Sequence, residues 1–219
     1  MTPNKIYDLV STYGYKLQNR KQSYENNLTK TILRKQSYEN NLTPRLHYIK
    51  LHSLFYYLNY MQPKSIIEFG SGYTTHVLSQ YQKLNECSIT LIDEDEFYGT
   101  RSLLSSGVKA ELYICNSICM NTNKQVEIFY DYIPDRSYDL VIIDGPNFLV
   151  QGIKHTEAVS TQIIRNFKEV GFPRNILVDG RDRTAVSISE ELNYNLKHTD
   201  LRKNLKLTDF NYWNNLTLN

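Results

Sequence analysis

The stretch Ser65-Ile-Ile-Glu-Phe-Gly-Ser-Gly-Tyr-Thr-Thr-His76 decides the fold. Its apolar and β-branched start predicts a buried strand, and the residues from Tyr73 to Gln80 predict the beginning of a helix. Between them, Gly70 permits a tight turn and Gly72 lets the backbone approach a ligand closely. Because the first N–H groups of a helix are unpaired and carry positive dipole, this strand–turn–helix unit is suited to holding a polar ligand.

The glycine spacing argues against a dinucleotide fingerprint, which requires Gly-x-Gly-x-x-Gly, because Thr75 stands at the third glycine position. With Glu68 two residues before Gly70, the turn instead resembles motif I of the class I, Rossmann-like S-adenosylmethionine-dependent methyltransferases. The resemblance implies that the turn passes under the methionine part of the cofactor and that the acidic residue orients the cofactor amino group. The cofactor-binding residues that it implies here are Glu68, Gly70, Ser71, Gly72 and Thr74.

The next strand supplies the second part of this pattern. It covers 88–92 and ends in Asp93, which lies 21 residues after Gly72. A carboxylate at this place can accept both hydroxyl hydrogens of a ribose. Asp93 fits motif II of the family better than Glu94, although the acidic run 93–96 taken alone also suits a solvated turn. After a third strand at 109–115, the resemblance implies that Asn116 contacts the adenine.

Two further strands end in aspartate. The segment 138–146 is a near-continuous apolar run that ends in Asp144, which is typical of a central parallel strand. The segment 175–181 ends its apolar part in Asp179. Five β-α units followed by a β-β pair predict an α/β fold. We expect a doubly wound, mostly parallel seven-stranded sheet of the Rossmann-like methyltransferase type, with a C-terminal antiparallel hairpin.

Apolar periodicity sets the remaining boundaries. Segment 125–132 suits either a short strand or a helix, and the terminal pair of strands is expected at 194–201 and 205–213. The expected helices cover 45–61, 73–84, 97–106, 156–170 and 184–192.

Methyl transfer to an oxygen also requires a base near the ends of the first, fourth and fifth strands. Asp144 and Asp179 are the first candidates, followed by His155 and Arg181, and Asp144 is also a candidate cofactor contact. In the catechol-type metal-dependent O-methyltransferases, which the two aspartates resemble, a third ligand is asparagine where this chain has Gly180. Whether the site binds a divalent cation such as Mg²⁺ is therefore undecided from the sequence, and we assign no metal ligand.

A second resemblance concerns the acceptor. Asp144-Gly-Pro146, Asp182-Arg183 and Tyr132-x-x-Pro134 are similar to elements of the polysaccharide and glucuronoxylan O-methyltransferases. This resemblance implies O-methylation of a hydroxyl on a small molecule or a carbohydrate. Two rivals remain: a nucleotide-binding oxidoreductase on a similar sheet, and a non-catalytic binding or assembly module.

The N-terminal part, 1–44, predicts a helical extension before a methyltransferase domain at 45–219. The decapeptide at 20–29 recurs letter for letter at 34–43. This repeat suits a lengthened surface helix or an arm that forms a homo-oligomer or binds another partner.

Composition limits the partners and the compartment. A net charge of +2 is too small to indicate nucleic acid or an anionic membrane, and no apolar run reaches the length of a transmembrane helix. The first residues lack the apolar core of a signal peptide. Three cysteines without Cys-x-x-Cys spacing suit a reducing compartment and form no zinc motif. We therefore expect a cytoplasmic protein.

Overall fold

The structure is a computed structural model that describes residues 44–150, 152–155, 158–192, 194–198 and 214–218. The chain divides into two compact units, Met1–Ser53 and Leu54–Asn219. The repeat at 20–29 and 34–43 lies outside the described residues, so the helical extension and its boundary at residue 44 stay predictions.

The described residues form strands that alternate with helices. In chain order the described elements are α1 (Pro44–Met61), β1 (Ser65–Phe69), α2 (Tyr73–Leu84), β2 (Ser88–Asp93), α3 (Glu96–Ser106), β3 (Ala110–Ile114), β4 (Ser117–Asn121), β5 (Val126–Tyr130), β6 (Leu140–Ile143), β7 (Leu149–Val150), β8 (Ile153–Lys154), β9 (Val159–Ser160), α4 (Gln162–Val170), β10 (Asn175–Val178), α5 (Asp182–Leu192), β11 (Tyr194–His198) and β12 (Asn214–Leu218). None of the described helices is both long and apolar enough to cross a membrane.

The main sheet has seven strands in the order β11-β12-β10-β6-β1-β2-β3. The five from β10 to β3 are parallel, whereas β12 runs antiparallel to both of its neighbours. This arrangement confirms the predicted doubly wound, mostly parallel sheet with an antiparallel C-terminal pair. The second strand of that pair lies at Asn214–Leu218, and the predicted segment 205–213 lies outside the described residues.

Burial explains why β1, β6 and β10 occupy the middle of the sheet. All four residues of β6 are buried, as are four of the five in β1 and three of the four in β10. Strands that are apolar on both faces need cover on both sides. At about 1.5–3 kcal/mol for each large apolar side chain, their burial is the main force that holds the site-bearing strands in place.

The crossover between β3 and β6 corrects the prediction of five β-α units. Residues 115–139 are all described, and they contain the antiparallel pair β4–β5 instead of a helix. The β-branched and aromatic residues of β5, Val-Glu-Ile-Phe-Tyr, favour a pleated strand. The periodicity of segment 125–132 allows either a strand or a helix. The structure shows a strand there, at Val126–Tyr130.

Two helices begin two or more residues away from the predicted start, and the other three agree with it within one residue. Val159 pairs with Glu127 of β5, so the segment expected to start a helix at 156 instead forms β9, and α4 starts at Gln162. Residues 156 and 157 lie outside the described residues. Helix α5 starts at Asp182, two residues before the predicted start.

Candidate functional site

The carboxyl ends of the parallel strands bring the predicted site residues to one edge of the sheet. The strand ladders continue one residue beyond each strand: the Asp144 N–H donates to Phe69 O at 2.9 Å and the Asp179 N–H donates to Ile143 O at 2.9 Å. The Gly70 N–H likewise donates to Ile92 O at 2.8 Å. The loops after β1, β2, β6 and β10 are therefore fixed to one another at the edge where open α/β sheets bind ligands.

Glu68 and Thr75 fix the turn after β1. The Thr75 hydroxyl donates to Glu68 Oε2 at 2.6 Å, and the Gly72 N–H donates to Thr75 Oγ1 at 3.0 Å. The carboxyl group thus orients the turn through a threonine that the sequence reading treated only as the missing third glycine. Ser71 completes the turn, because its N–H donates to Asp93 Oδ2 at 2.9 Å.

The Glu68 carboxyl is fully buried, and one of its oxygens is unused. Neither Glu68 Oε1 nor the buried Thr74 Oγ1 has a hydrogen-bond partner among the described residues. Burial raises the pKa of Glu68 to about 8; the Thr74 hydroxyl, which is close to the carboxyl but outside hydrogen-bond geometry, and the Thr75 hydroxyl oppose this shift, and the Asp144 and Asp93 charges add to it. Two unsatisfied polar atoms beside the start of α2 fit a polar ligand group, which the resemblance identifies as the cofactor amino group.

Gly70 and Gly145 allow the loops after β1 and β6 to touch. A Cβ on Gly70 would lie 2.7 Å from Gly145 N, and one on Gly145 would lie 2.8 Å from Gly70 Cα and 2.5 Å from the Tyr130 hydroxyl. Gly70 also has a φ of +82°, which L side chains rarely adopt. A Cβ on Gly72 would meet nothing within 4 Å, which agrees with space for a ligand over that residue.

We expect Gly145→Ala to destabilise the fold by about 2–3 kcal/mol, because the new methyl group overlaps backbone that has no room to move. Gly72→Ala is the matched control, since its methyl group meets open space. Urea unfolding of both variants tests the prediction. Equal midpoints for Gly145→Ala and the wild type would contradict the close packing of the two loops.

Asp93 is buried at the end of β2, with both carboxylate oxygens facing polar groups. Oδ2 accepts from the N–H and hydroxyl of Ser71, and Oδ1 accepts from the Asp95 N–H at 3.0 Å. A carboxylate has about four acceptor positions, so these contacts leave capacity for a ribose hydroxyl. The acidic run is therefore part of the folded edge rather than a fully solvated turn.

Asn116 is exposed in the loop after β3. Its amide donates to Asp131 Oδ2 at 2.8 Å and its N–H donates to Asp131 Oδ1 at 3.0 Å. Asp131 thus orients the side chain predicted to contact the adenine, a partner that the sequence reading did not find.

The Asp144 loop is held at nearly every backbone polar group. The Gly145 carbonyl accepts from Ser160 Oγ at 3.1 Å and from Gln162 Nε2 at 3.2 Å. Asn147 N–H donates to Glu94 Oε1 at 2.8 Å. A loop fixed from so many directions keeps the backbone of the half-buried Asp144 in one place, as a positioned base requires.

Arg181 joins the loops after β10 and β6. It donates to the carbonyls of Asp144 at 2.7 Å and Pro146 at 2.9 Å, and its guanidinium lies 4.3 Å from the centre of the Phe148 ring. Burial lowers the pKa of Arg181, whereas the charge of Asp144 raises it. The guanidinium is therefore a structural clamp on the loop that carries Asp144.

The other two predicted catalytic residues are Asp179 and His155. Asp179 follows β10 directly, where its N–H extends the ladder to β6. His155 follows β8, and its Nε2 lies 3.6 Å from Cys119 Sγ of β4. The structure therefore places Asp179 next to the Asp144 loop and aims the His155 ring at β4. Among the described residues, no three or more His, Cys, Asp and Glu side chains form a group that could hold a metal ion.

Glu94 and Tyr130 are the main contributors that the sequence reading missed. Tyr130 is fully buried, its ring stacks on Phe69 with 5.8 Å between centroids, and its hydroxyl donates to Glu94 Oε2 at 2.8 Å. Burial, and then the Glu94 charge, raise the pKa of Tyr130 well above its usual value, which keeps the phenol protonated. The only sequence signal was Glu94 beside Asp93, and nothing in the sequence connects it with Tyr130.

A shallow cleft of about 710 Å³ opens at the opposite edge of the sheet and includes Lys64, Lys83 and Lys109 in its lining. It lies at the amino ends of β1 and β2. Because ligands of open α/β sheets bind at the carboxyl ends, this cleft is not the candidate site.

Comparison with known proteins agrees with the architecture. No protein-family model matches the sequence, and no curated protein is significantly similar to it. Among solved structures, a putative caffeoyl-CoA O-methyltransferase from Staphylococcus aureus is 12% identical, with a TM-score of 0.50 over 95% of this chain and 97% of its own.

Two other structures are more distant. A TehB-like S-adenosylmethionine-dependent methyltransferase from Corynebacterium glutamicum is 13% identical, with a TM-score of 0.48 over 88% of this chain and 97% of its own. A Thiobacillus denitrificans methyltransferase in complex with S-adenosylhomocysteine is 19% identical, with a TM-score of 0.37 over 64% of this chain. The chain spans about half of its length (49%).

The sheet order, the antiparallel last strand, the motif I turn and the Staphylococcus aureus structure agree with one another. The chain has the Rossmann-like fold of the class I S-adenosylmethionine-dependent methyltransferases.

Proposed function

We propose that the chain is an S-adenosylmethionine-dependent methyltransferase that methylates a hydroxyl group of a small molecule or a carbohydrate. The observation that carries the proposal is the buried Glu68 carboxyl, with an unsatisfied oxygen, close enough to Asp93 and Asp144 for their charges to raise its pKa. The Asp93 and Asp144 charges favour a ligand with positive charge, and such a ligand would in turn favour the ionised form of Glu68.

This charge distribution separates the proposal from its oxidoreductase rival. S-adenosylmethionine carries a sulfonium and an ammonium group, whereas NAD carries a pyrophosphate that the carboxyl groups would repel. Arg181 is a basic group at this edge, and its guanidinium is already bound to two carbonyls. The site therefore favours the cationic cofactor.

The cofactor would be held by residues of the first three strand ends. Glu68 and Thr74 would accept from and orient its amino group, Asp93 would accept from the ribose hydroxyls, and Asn116 would contact the adenine. Gly70, Ser71 and Gly72 would form the turn beneath it. The cofactor supplies an activated methyl group for an in-line displacement, and the protein contributes mainly position.

The hydroxyl proton would be accepted by Asp144, whose loop is the most firmly held at this edge. Asp179 and His155 are the alternative bases. The Asp144-Gly-Pro146 and Asp182-Arg183 elements favour a sugar-like hydroxyl over a catechol. A homo-oligomer through residues 1–44 and an Mg²⁺ ion in the site both stay open.

A thermal-shift titration with S-adenosylhomocysteine tests the cofactor site. At about 100 times its dissociation constant, the ligand should stabilise the wild type by about 2.7 kcal/mol, and Asp93→Ala should lose most of this effect. Glu96→Ala is the matched control, because Glu96 is an exposed carboxylate three residues away. Repeating the titration with Mg²⁺ tests for a cation.

Three results would count against the proposal in different ways. Stabilisation by NAD and not by S-adenosylhomocysteine would favour an oxidoreductase. An absence of stabilisation by either ligand at millimolar concentration would favour a non-catalytic module. Equal stabilisation of Asp93→Ala and the wild type would remove Asp93 from the site.

A further inference from the structure

Glu94 connects the loop after β2 with the loop after β6. Its Oε1 accepts from the Asn147 N–H at 2.8 Å, and its Oε2 accepts from the Tyr130 hydroxyl at 2.8 Å. The residue before it is Asp93, the expected ribose ligand, and Asn147 lies three residues after Asp144, the expected base. A single side chain therefore spans the two halves of the proposed site.

Tyr130 makes this connection rigid. Its ring is fully buried against Phe69 of β1, and its hydroxyl lies so close to Gly145 that a Cβ there would be 2.5 Å away. The phenol can neither rotate away nor be replaced by water without opening the core. One Glu94 oxygen thus accepts from the fixed Tyr130 hydroxyl, and the other accepts from the N–H of Asn147 in the loop after β6.

We infer that Glu94 is a positioning residue that couples the two loops, so that a filled cofactor site fixes the Asp144 loop for the acceptor. Cofactor contacts at Asp93 restrain the loop after β2, and Glu94 transmits that restraint to Asn147. The inference rests on the proposed function, because it requires a ligand at Asp93.

Hydrogen exchange of the full chain tests the coupling, with S-adenosylhomocysteine as the probe. In the wild type we expect saturating ligand to slow exchange of the Asn147 amide and its loop, 144–147. In Glu94→Ala the Asn147 amide should exchange about tenfold faster, because a hydrogen bond to a carboxylate is lost. The ligand-dependent slowing should disappear as well, although the ligand still binds.

Other variants separate positioning from general destabilisation. Glu94→Gln keeps an oxygen for the Asn147 N–H and should restore most of the ligand-dependent slowing. Tyr130→Phe keeps the ring but removes the hydroxyl that donates to Glu94, and it should weaken the slowing. Glu96→Ala removes an exposed carboxylate two residues away and should behave as the wild type.

The outcomes separate the two claims. If Glu94→Ala binds the probe and keeps the full ligand-dependent slowing, or if the wild type binds the probe without slowing of the loop, the coupling is wrong and the proposed function stands. If the wild type does not bind the probe at all, the proposed function is wrong and the coupling falls with it.

Discussion

The Glu68→Gln variant is expected to gain stability relative to the wild type as the pH rises from about 5 to about 9. In the native state the Glu68 carboxyl is buried and has a pKa of about 8, against an ordinary value of 4.5. Between these two values the native protein binds a proton that the unfolded chain releases. The free energy of unfolding therefore falls as the pH rises through this window, and it levels off above about 8.

The size of the effect follows from the difference in pKa. Each unit corresponds to about 1.4 kcal/mol, so ionising Glu68 costs the native state up to about 5 kcal/mol at high pH. Glutamine has nearly the same shape, can still accept from Thr75 through its amide oxygen, and does not titrate. The difference between variant and wild type should accordingly be small near pH 5 and several kcal/mol near pH 9.

Urea unfolding at a series of pH values measures this difference. Glu96→Gln is the matched control, because it removes a carboxyl that is exposed at the start of α3 and should give a difference that does not change with pH. A Glu68→Gln difference that stays constant from about pH 5 to about pH 9 would mean that Glu68 is ionised throughout.

The part of the site that could be predicted from the sequence depends on local rules. Glu68, Asp93, Asp144 and Asp179 each follow a short apolar run, and parallel strands necessarily bring such ends to the same edge. Gly70 marks the turn after β1, because its φ of +82° is costly for other residues. Each of these signals lies within a few residues of the feature that it predicts.

Contacts between distant segments could not be predicted in this way. Tyr130 and Glu94 are 36 residues apart, and a tyrosine in β5 carries no mark of the carboxylate that it will meet. The sequence suggests Arg181 only as a candidate base, whereas its donors reach carbonyls 35 and 37 residues away. Such contacts depend on the order of the strands in the sheet. No local pattern in the sequence predicts that order, because it depends on all of the elements together.

The error at the start of α4 has a different cause. Val159, Ile163 and Phe167 recur at helical spacing, so the apolar period extends one turn too far. The β-branched Val159 instead pairs with β5, where its burial is equally satisfied. Periodicity reports which residues are buried and not which backbone hydrogen bonds they make.

Replacing Arg181 by methionine is expected to destabilise the protein by about 3 kcal/mol or more. The substitution keeps the aliphatic stem but removes both donors to the Asp144 and Pro146 carbonyls and the charge that faces Asp144. Each desolvated carbonyl that loses its donor costs about 1–3 kcal/mol, because the acceptor stays without a hydrogen bond.

Arg181→Lys discriminates between the loss of charge and the loss of geometry. Lysine keeps the positive charge near Asp144, but its single ammonium group does not reproduce the planar fork that bonds two carbonyls and stacks on Phe148. We expect it to recover less than half of the loss in urea unfolding, while the exposed Arg174→Met stays within about 0.5 kcal/mol of the wild type. Full recovery by lysine would mean that charge alone holds the loop, and an unchanged Arg181→Met would show that the clamp carries no stability.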